Sequence, residues 1–351
     1  SGISVSLAAS PVLVKEAPEL PGSNPLSLPR RWSSGPVGKR QLLQFSDGHQ
    51  VWMKTLSKRP RLFHLEGLIS PQEVASIRAA SADPLFKPSH VSAGSQAGEQ
   101  AGRTSESQFV FPGMMPDLLP FVDRVTDLVG IPRSWSIHAG MQIVRYRANA
   151  FYQAHFDSRH LDHYHGCRES FRTHGRPLDD NGQGEHCPRF VTILYYLSNV
   201  SQGGETCFPI ADEPSLERIS AAKKRRLASQ GDFFRNASFR CIYRNSGALF
   251  VKPQSGDAIM FYNHAQEKRR SHMRVLGEMD FSAVHMAMMV MGEEETKYVA
   301  NHWLNVPWWP DDSIKSESRV PERNKLRELQ EEYRRALSVA LSARGAVTDL
   351  R

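Results

Sequence analysis

From Met141 to Leu304 the chain is a succession of apolar runs broken by Gly-, Pro- and Asn-marked turns, and this pattern restricts the fold more than any other feature. Met141–Tyr146, Phe190–Leu197, Ala248–Val251, Ala258–Tyr262, Ser282–Met291 and Tyr298–Leu304 are rich in the β-branched and aromatic side chains that suit a pleated, half-buried surface. Strands separated by such turns predict a β-sandwich or barrel rather than βαβ units.

Helices are expected mainly ahead of this block. Arg61–Leu65 is a short strand-like run where ordered structure is expected to begin. Ser70-Pro71-Gln72-Glu73 then reads as a helix start, with Ser at the N-cap, Pro at the first helical position and Glu placed for a capping box. Val74 and Ile77 begin its apolar face. A second helix is predicted from Met115 to Val129, with Leu119, Val122, Val125 and Val129 at helical spacing. Residues 88–106, small and polar, are expected to form a mobile loop. The chain therefore divides into a flexible segment over 1–45, a main domain over 46–310 with N-terminal supporting helices, and a helical tail over 311–351. Leu326, Leu329, Tyr333 and Leu337 give that tail one apolar stripe, expected to dock against the sheet.

With 351 residues and 40% hydrophobic content the chain can bury a sizeable core. Its net charge of +7 predicts a solvated surface, and the basic run Lys223–Arg226 lacks the interleaved aromatics of a base-stacking surface. No nucleic-acid partner is expected. No apolar stretch of about 18 residues or more is present to span a membrane. Cys167, Cys187, Cys207 and Cys241 follow no zinc-type spacing, and all four could be free thiols. Cys167 and Cys187 nevertheless bracket one polar loop that a crosslink would restrain. With the glycosylation sequons at Asn199-Val200-Ser201 and Asn236-Ala237-Ser238, they point to a glycoprotein of an oxidising compartment.

The chemistry is carried by His155-Phe156-Asp157. In an extended segment, residues two apart share a face, so an imidazole and a carboxylate can reach one ion. A second histidine would complete a two-histidine, one-carboxylate facial set with open metal positions. The spacing alone is weak evidence, because His160-Leu161-Asp162 repeats it.

Residues around His155 separate the two motifs. Gln142–Tyr146 with Tyr152 upstream, then Arg189–Leu197, Gly203–Pro209, Val251–Ala258, Phe261-Tyr262-Asn263, His285 and Thr296–Leu304 occur in the order seen in the prolyl 4-hydroxylase family. Arg61-Leu62-Phe63 and Arg103-Thr104-Ser105 are similar to its N-terminal support region. The chain resembles that family over about residues 60–306. Tyr196–Ser201, Phe208–Asp212 and Trp303–Val306 bring it closest to the transmembrane, endoplasmic-reticulum branch, whose calcium loops have no counterpart here.

The resemblance implies a distorted double-stranded β-helix (jelly roll) with flanking helices, mainly β. It implies an iron(II)- and 2-oxoglutarate-dependent dioxygenase that hydroxylates C4 of proline in a polypeptide, consumes O2, releases succinate and CO2, and responds to ascorbate. His155, Asp157 and His285 would hold the metal. His264 and His272 compete with His285, but only His285 lies in an alternating apolar strand and is followed by a lysine near the family's spacing. That lysine, Lys297, would pair with the distal carboxylate of 2-oxoglutarate; its rival role is a salt bridge to Glu293, Glu294 or Glu295. Tyr146, Thr206 and Trp303 match cosubstrate-pocket positions, and Tyr152 and Arg189 match positions that hold the peptide.

The resemblance also implies a location in the endoplasmic-reticulum lumen or facing it, with a membrane anchor upstream of Ser1. Three alternatives remain open: the same chemistry on another side chain or a nucleobase, a catalytically dead peptide-binding module, and a zinc hydrolase. This chain departs from the family at Ala154, where proline is common, and at Arg147–Ala150, where a glycine turn is usual. Insertions at 158–187, 213–247 and 264–280 are expected near the active-site mouth.

Overall fold

A computed structural model describes residues 11–14, 29–81, 83–89, 103–178, 187–228, 230–245, 247–268 and 274–308. In chain order its strands are β1 (Val12–Leu13), β2 (Arg40–Gln44), β3 (Gln50–Ser57), β4 (Leu62–Glu66), β5 (Lys87–Pro88), β6 (Glu106–Val110), β7 (Met141–Tyr146) and β8 (Tyr152–His155). They continue with β9 (Arg189–Tyr196), β10 (Thr206–Phe208), β11 (Leu249–Val251), β12 (Ala258–Tyr262), β13 (His264–Lys268), β14 (Arg274–Met279), β15 (His285–Ala287) and β16 (Lys297–Asn305). The helices are α1 (Pro71–Ala80), α2 (Leu119–Val129), α3 (Arg133–Ser136), α4 (Cys167–His174), α5 (Ala221–Ala228) and α6 (Gly231–Ile242).

Strands β12, β9, β16 and β7 lie side by side in the centre of a ten-stranded sheet, and β11, β10, β15 and β8 form a second sheet of four. Every pairing within these two sets is antiparallel. The chain passes repeatedly from one sheet to the other, which makes a double-stranded β-helix. Leu194, Tyr196 and Ile259 of the first sheet pack with Phe208, Val251 and Ala287 of the second, so the sheets enclose a core. β9 is buried along nearly its whole length because the other face of its sheet is covered by α1 and α2.

Ser70 and Glu73 form the expected capping box, and Glu73 also accepts from the buried Arg124 guanidinium of α2 (2.9 Å). The second helix starts at Leu119 rather than Met115. Pro116 and Pro120 have no N–H to give the first turn, and Pro116–Leu118 forms a short 3-10 turn instead. The predicted run Ser282–Met291 is a strand only at His285–Ala287. Asp280 accepts from the backbone of Ser282 (3.0 Å) and turns Phe281–Ala283 into a 3-10 segment.

Regular structure starts well before Arg61. β2 and β3 pair as a hairpin, and alternate residues of β3 (Val51, Met53, Thr55, Ser57) are buried. Part of the lead-in over 1–45 is thus structured, with β1 parallel to β2. The ends of the 88–106 loop are joined by pairing of Lys87 with Ser107, while 90–102 lie outside the described residues, as does the predicted helical tail. At Arg147–Ala150, Asn149 adopts φ +66°, a conformation asparagine tolerates well for a residue with a Cβ.

The cysteines are not free thiols: Cys167 pairs with Cys187 and Cys207 with Cys241. The second bond ties β10 to α6, part of the 213–247 insertion. This insertion reaches the His155 segment directly. The backbone N–H of Ala154 donates to Ser238 Oγ of α6 (3.0 Å), and Phe156 packs among Phe233, Phe234 and Phe281.

Because the Cys207–Cys241 bond closes a loop spanning 34 residues of sequence separation, replacing both cysteines with alanine is expected to cost about 3–4 kcal/mol of unfolding free energy. Urea denaturation monitored by circular dichroism measures this directly.

Candidate active site

Strand pairing assembles the site. β8 and β15 run antiparallel with His155 directly opposite His285, and the two imidazoles lie 4.3 Å apart between ring centroids. Asp157 follows β8 two residues after His155. Its Oδ1 is 3.7 Å from His155 Nε2 and its Oδ2 is 3.6 Å from His285 Nε2. Among the described residues this is the one group of three such side chains whose ligand atoms all fall within 4.8 Å.

The ring orientations suit a metal. Nδ1 of His155 faces the carbonyl of Gln153 (2.8 Å), and Nδ1 of His285 faces that of Ala283 (3.0 Å). A carbonyl only accepts, so each Nδ1 carries a proton and each Nε2 is the atom turned to the centre, where a neutral ring would offer its lone pair. Burial, reinforced by the neighbouring His285, pushes the His155 pKa down to about 3, which keeps it neutral as a ligand must be. Burial opposes ionisation of Asp157, but the two imidazoles, Arg189 and the Thr192 hydroxyl together hold its carboxyl below the usual range. Two imidazole nitrogens and a carboxylate on one side of a centre fit a divalent first-row metal with open positions opposite.

The competing motif does not converge. His160 faces Glu278 (3.7 Å), and Asp162 lies near His163 and Arg225. His264 is fully buried with both ring nitrogens engaged, by Ser158 Oγ (2.7 Å) and the Gly277 carbonyl (3.2 Å). His272 lies outside the described residues.

Lys297 opens β16 directly opposite Tyr146 of β7, with its side chain 1% exposed and its ammonium 5.2 Å from the Tyr146 ring centre. No pairing with the preceding turn is seen among the described residues: Glu295 instead accepts from the backbone of Ser201 (2.7 Å) and Gln202 (3.3 Å). Burial lowers the Lys297 pKa to about 7, with Glu205 pulling weakly the other way. Such an ammonium calls for an anion in the same enclosure. Thr206, also buried, accepts from the Tyr196 hydroxyl (3.0 Å).

On the other side of the metal ligands, the Tyr152 ring stacks on His155 at 3.7 Å between centroids, and the Arg103 guanidinium lies over Tyr152 at 4.5 Å. Arg189 lies 3.7 Å over the Trp303 ring and donates to the Asp157 carbonyl (3.0 Å). Direct contacts thus join His155, Asp157, His285, Tyr152, Arg189 and Trp303, while Lys297 meets Tyr146 and Thr206 meets Tyr196. The sequence reading assigned no site role to Tyr196, and it placed Arg103 only in a support region. Tyr196 sits in an apolar strand where it reads as core, and Arg103 is distant in sequence from the strands it caps.

Residues 141–305 match the profile of the 2OG-Fe(II) oxygenase superfamily. Over 167 residues the chain is 32% identical to a transmembrane prolyl 4-hydroxylase of Mus musculus, covering 47% of this chain and 29% of that protein. Over 214 residues it is 30% identical to the probable prolyl 4-hydroxylase 4 of Arabidopsis thaliana, covering 60% of this chain and 59% of that one. The chain thus spans less than two thirds of either relative. A crystal structure of a Pseudomonas putida prolyl-4-hydroxylase aligns with 70% of this chain and 93% of its own, at 14% identity and a TM-score of 0.38. The matched residues 141–305 include the three candidate ligands and Lys297.

Removing any one ligand leaves two protein donors, so His155→Ala, Asp157→Ala and His285→Ala are each expected to abolish stoichiometric binding of iron(II), followed by anaerobic calorimetry. His160→Ala and Asp162→Ala should bind as the unaltered chain does.

Proposed function

We propose that this chain hydroxylates proline at C4 within a polypeptide, using iron(II), 2-oxoglutarate and O2 and releasing succinate and CO2. The observation that carries the reading is the convergence of two histidines and a carboxylate within 4.8 Å of one another, in a chain that also buries a lysine at the start of β16. Bound at the triad, iron(II) would supply oxygen activation coupled to oxidative decarboxylation of 2-oxoglutarate. His155, Asp157 and His285 would hold it, leaving the opposite positions for cosubstrate and oxygen.

Lys297 would anchor the distal carboxylate, with the hydroxyls of Tyr146 and Thr206 positioned to donate hydrogen bonds to it. The packed walls formed by Tyr146, Val299, Leu194 and Phe208 keep water from this end of the interior. Tyr152, under Arg103, and Trp303, under Arg189, offer aromatic faces and donors at the rim, suited to an extended peptide whose ring-bearing residue must approach the metal. Similarity to proteins named prolyl 4-hydroxylase supports proline as the target. Two disulfides and the similarity to a transmembrane prolyl 4-hydroxylase support an endoplasmic-reticulum setting, and ascorbate is expected to sustain turnover.

Mass spectrometry of proline-containing peptides incubated with the protein, iron(II), 2-oxoglutarate and ascorbate tests the reaction. One added oxygen on proline supports it, and decarboxylation of 2-oxoglutarate without any peptide product points to another substrate.

Two predictions isolate Lys297. Lys297→Ala would leave the cosubstrate carboxylate buried without its cation, a loss of about 3–5 kcal/mol, so 2-oxoglutarate affinity should fall by about two to four powers of ten while iron still binds. A fall below about fivefold would remove the role. The unaltered chain should also bind 2-oxoglutarate more weakly as pH rises. With the free-site pKa near 7, the lysine is already charged at lower pH, whereas above it the ligand's arrival must take up a proton. The dissociation constant should therefore rise from pH 7 upward by up to about tenfold per unit. Anaerobic calorimetry with iron present, at several pH values and in buffers of different ionisation enthalpy, measures both the constant and the proton uptake.

A further inference from the structure

Asp157 is held by more than its backbone. On β9 the Thr192 hydroxyl donates to Asp157 Oδ2 (2.9 Å), and Asn263, between β12 and β13, donates through Nδ2 to Thr192 Oγ1 (2.9 Å). Asp157, Thr192 and Asn263 are 9%, 1% and 1% exposed, so water does not substitute for these bonds. Asn263 is itself fixed at both backbone groups: its N–H donates to the Phe190 carbonyl (3.0 Å) and its carbonyl accepts from the Asp280 N–H (2.8 Å).

The directions of these bonds follow from donor chemistry. A ligating carboxylate can only accept, so the one hydroxyl proton of Thr192 is committed to Asp157. Thr192 Oγ1 can then only accept from Asn263, which requires the amide's NH2 side to face it. The Asn263 Oδ1 correspondingly has no partner among the described residues, in keeping with an amide held in that sense.

We propose that Thr192 and Asn263 are positioning residues for the metal, a relay that keeps Oδ2 of Asp157 bound to protein and leaves Oδ1 as its single ligand atom. The inference rests on the metal reading of the triad. A carboxylate that swung to bind through both oxygens would occupy one more position on an octahedral ion. Two would then remain, too few for a bidentate 2-oxoglutarate plus oxygen. The relay also removes rotational freedom from Asp157 before the ion arrives, as outer partners of metal ligands do.

The probe is cobalt(II), titrated anaerobically by calorimetry into the unaltered chain, Thr192→Val, Thr192→Ser, Asn263→Ala and the Thr192→Val/Asn263→Ala double variant. Circular dichroism melting checks folding. Thr192→Val keeps the side chain's shape without the donor and should weaken binding about ten- to hundredfold. Thr192→Ser restores a hydroxyl and should stay within about threefold. Asn263→Ala, which touches neither the ion nor the carboxylate, should weaken binding at least about fivefold alone but less than about twofold on top of Thr192→Val, because it acts through the hydroxyl. A merely structural role for Asn263 would give the same loss in both backgrounds and overturns the relay.

A Thr192→Val shift below about fivefold overturns it as well. Should Thr192→Val show no folded transition, Asn263→Ala decides alone at the same fivefold mark. If the unaltered chain binds no cobalt, the triad reading itself fails, an outcome distinct from normal binding by the variants.

Discussion

The arrangement depends on the register between β8 and β15. Antiparallel pairing sets His155 opposite His285 with both side chains on the inner face, and the alternation of strand side chains carries Asp157 to the same ion. A slip of one residue would send every one of these groups to the outer face. Three features hold the register: the core between the two sheets, the pairing of β15 with β10, and the anchoring of the β8 backbone by α6. Metal geometry is thus a consequence of sheet packing rather than of any one ligand's local preferences.

A second constraint is the dryness of the same interior. Burial keeps His155 neutral and leaves Lys297 close to losing its proton, so the environment that makes good metal donors also makes a poor resting place for an ammonium. A buried ammonium of this kind is stabilised by an anion beside it, which is why the proposed cosubstrate role for Lys297 requires a ligand with a metal-binding end and a separate carboxylate.

Much of this was legible in the sequence, for reasons that differ from residue to residue. His155 and Asp157 are two apart on a strand, so their convergence needs only local geometry. His285 and Lys297 stand out as polar groups in apolar strands. Thr192 does not stand out, because threonine is an ordinary strand former, and Asn263 reads as a turn residue; their roles appear only when β9 and β12 are brought side by side. The β2–β3 hairpin is concealed by its polar alternate residues. α6 begins with a glycine and has no side-chain cap to mark its start. The Cys207–Cys241 bond joins elements whose proximity follows from the insertion's path rather than from any spacing.

Ala154 alters how the boundaries of the folded unit should be drawn. Position 154 is an alanine whose N–H is buried, and the acceptor comes from Ser238, 84 residues later. Phe156 likewise presents an aromatic ring that Phe233 and Phe234 of the insertion cover together with Phe281. The 213–247 segment is consequently not detachable decoration on a minimal eight-stranded catalyst. Trimming it would expose a hydrogen-bond donor and an apolar ring on either side of the first metal ligand, and a shortened version would first need proline at 154 and a polar side chain at 156. The helical insertion is in this sense part of the packing around the first metal ligand.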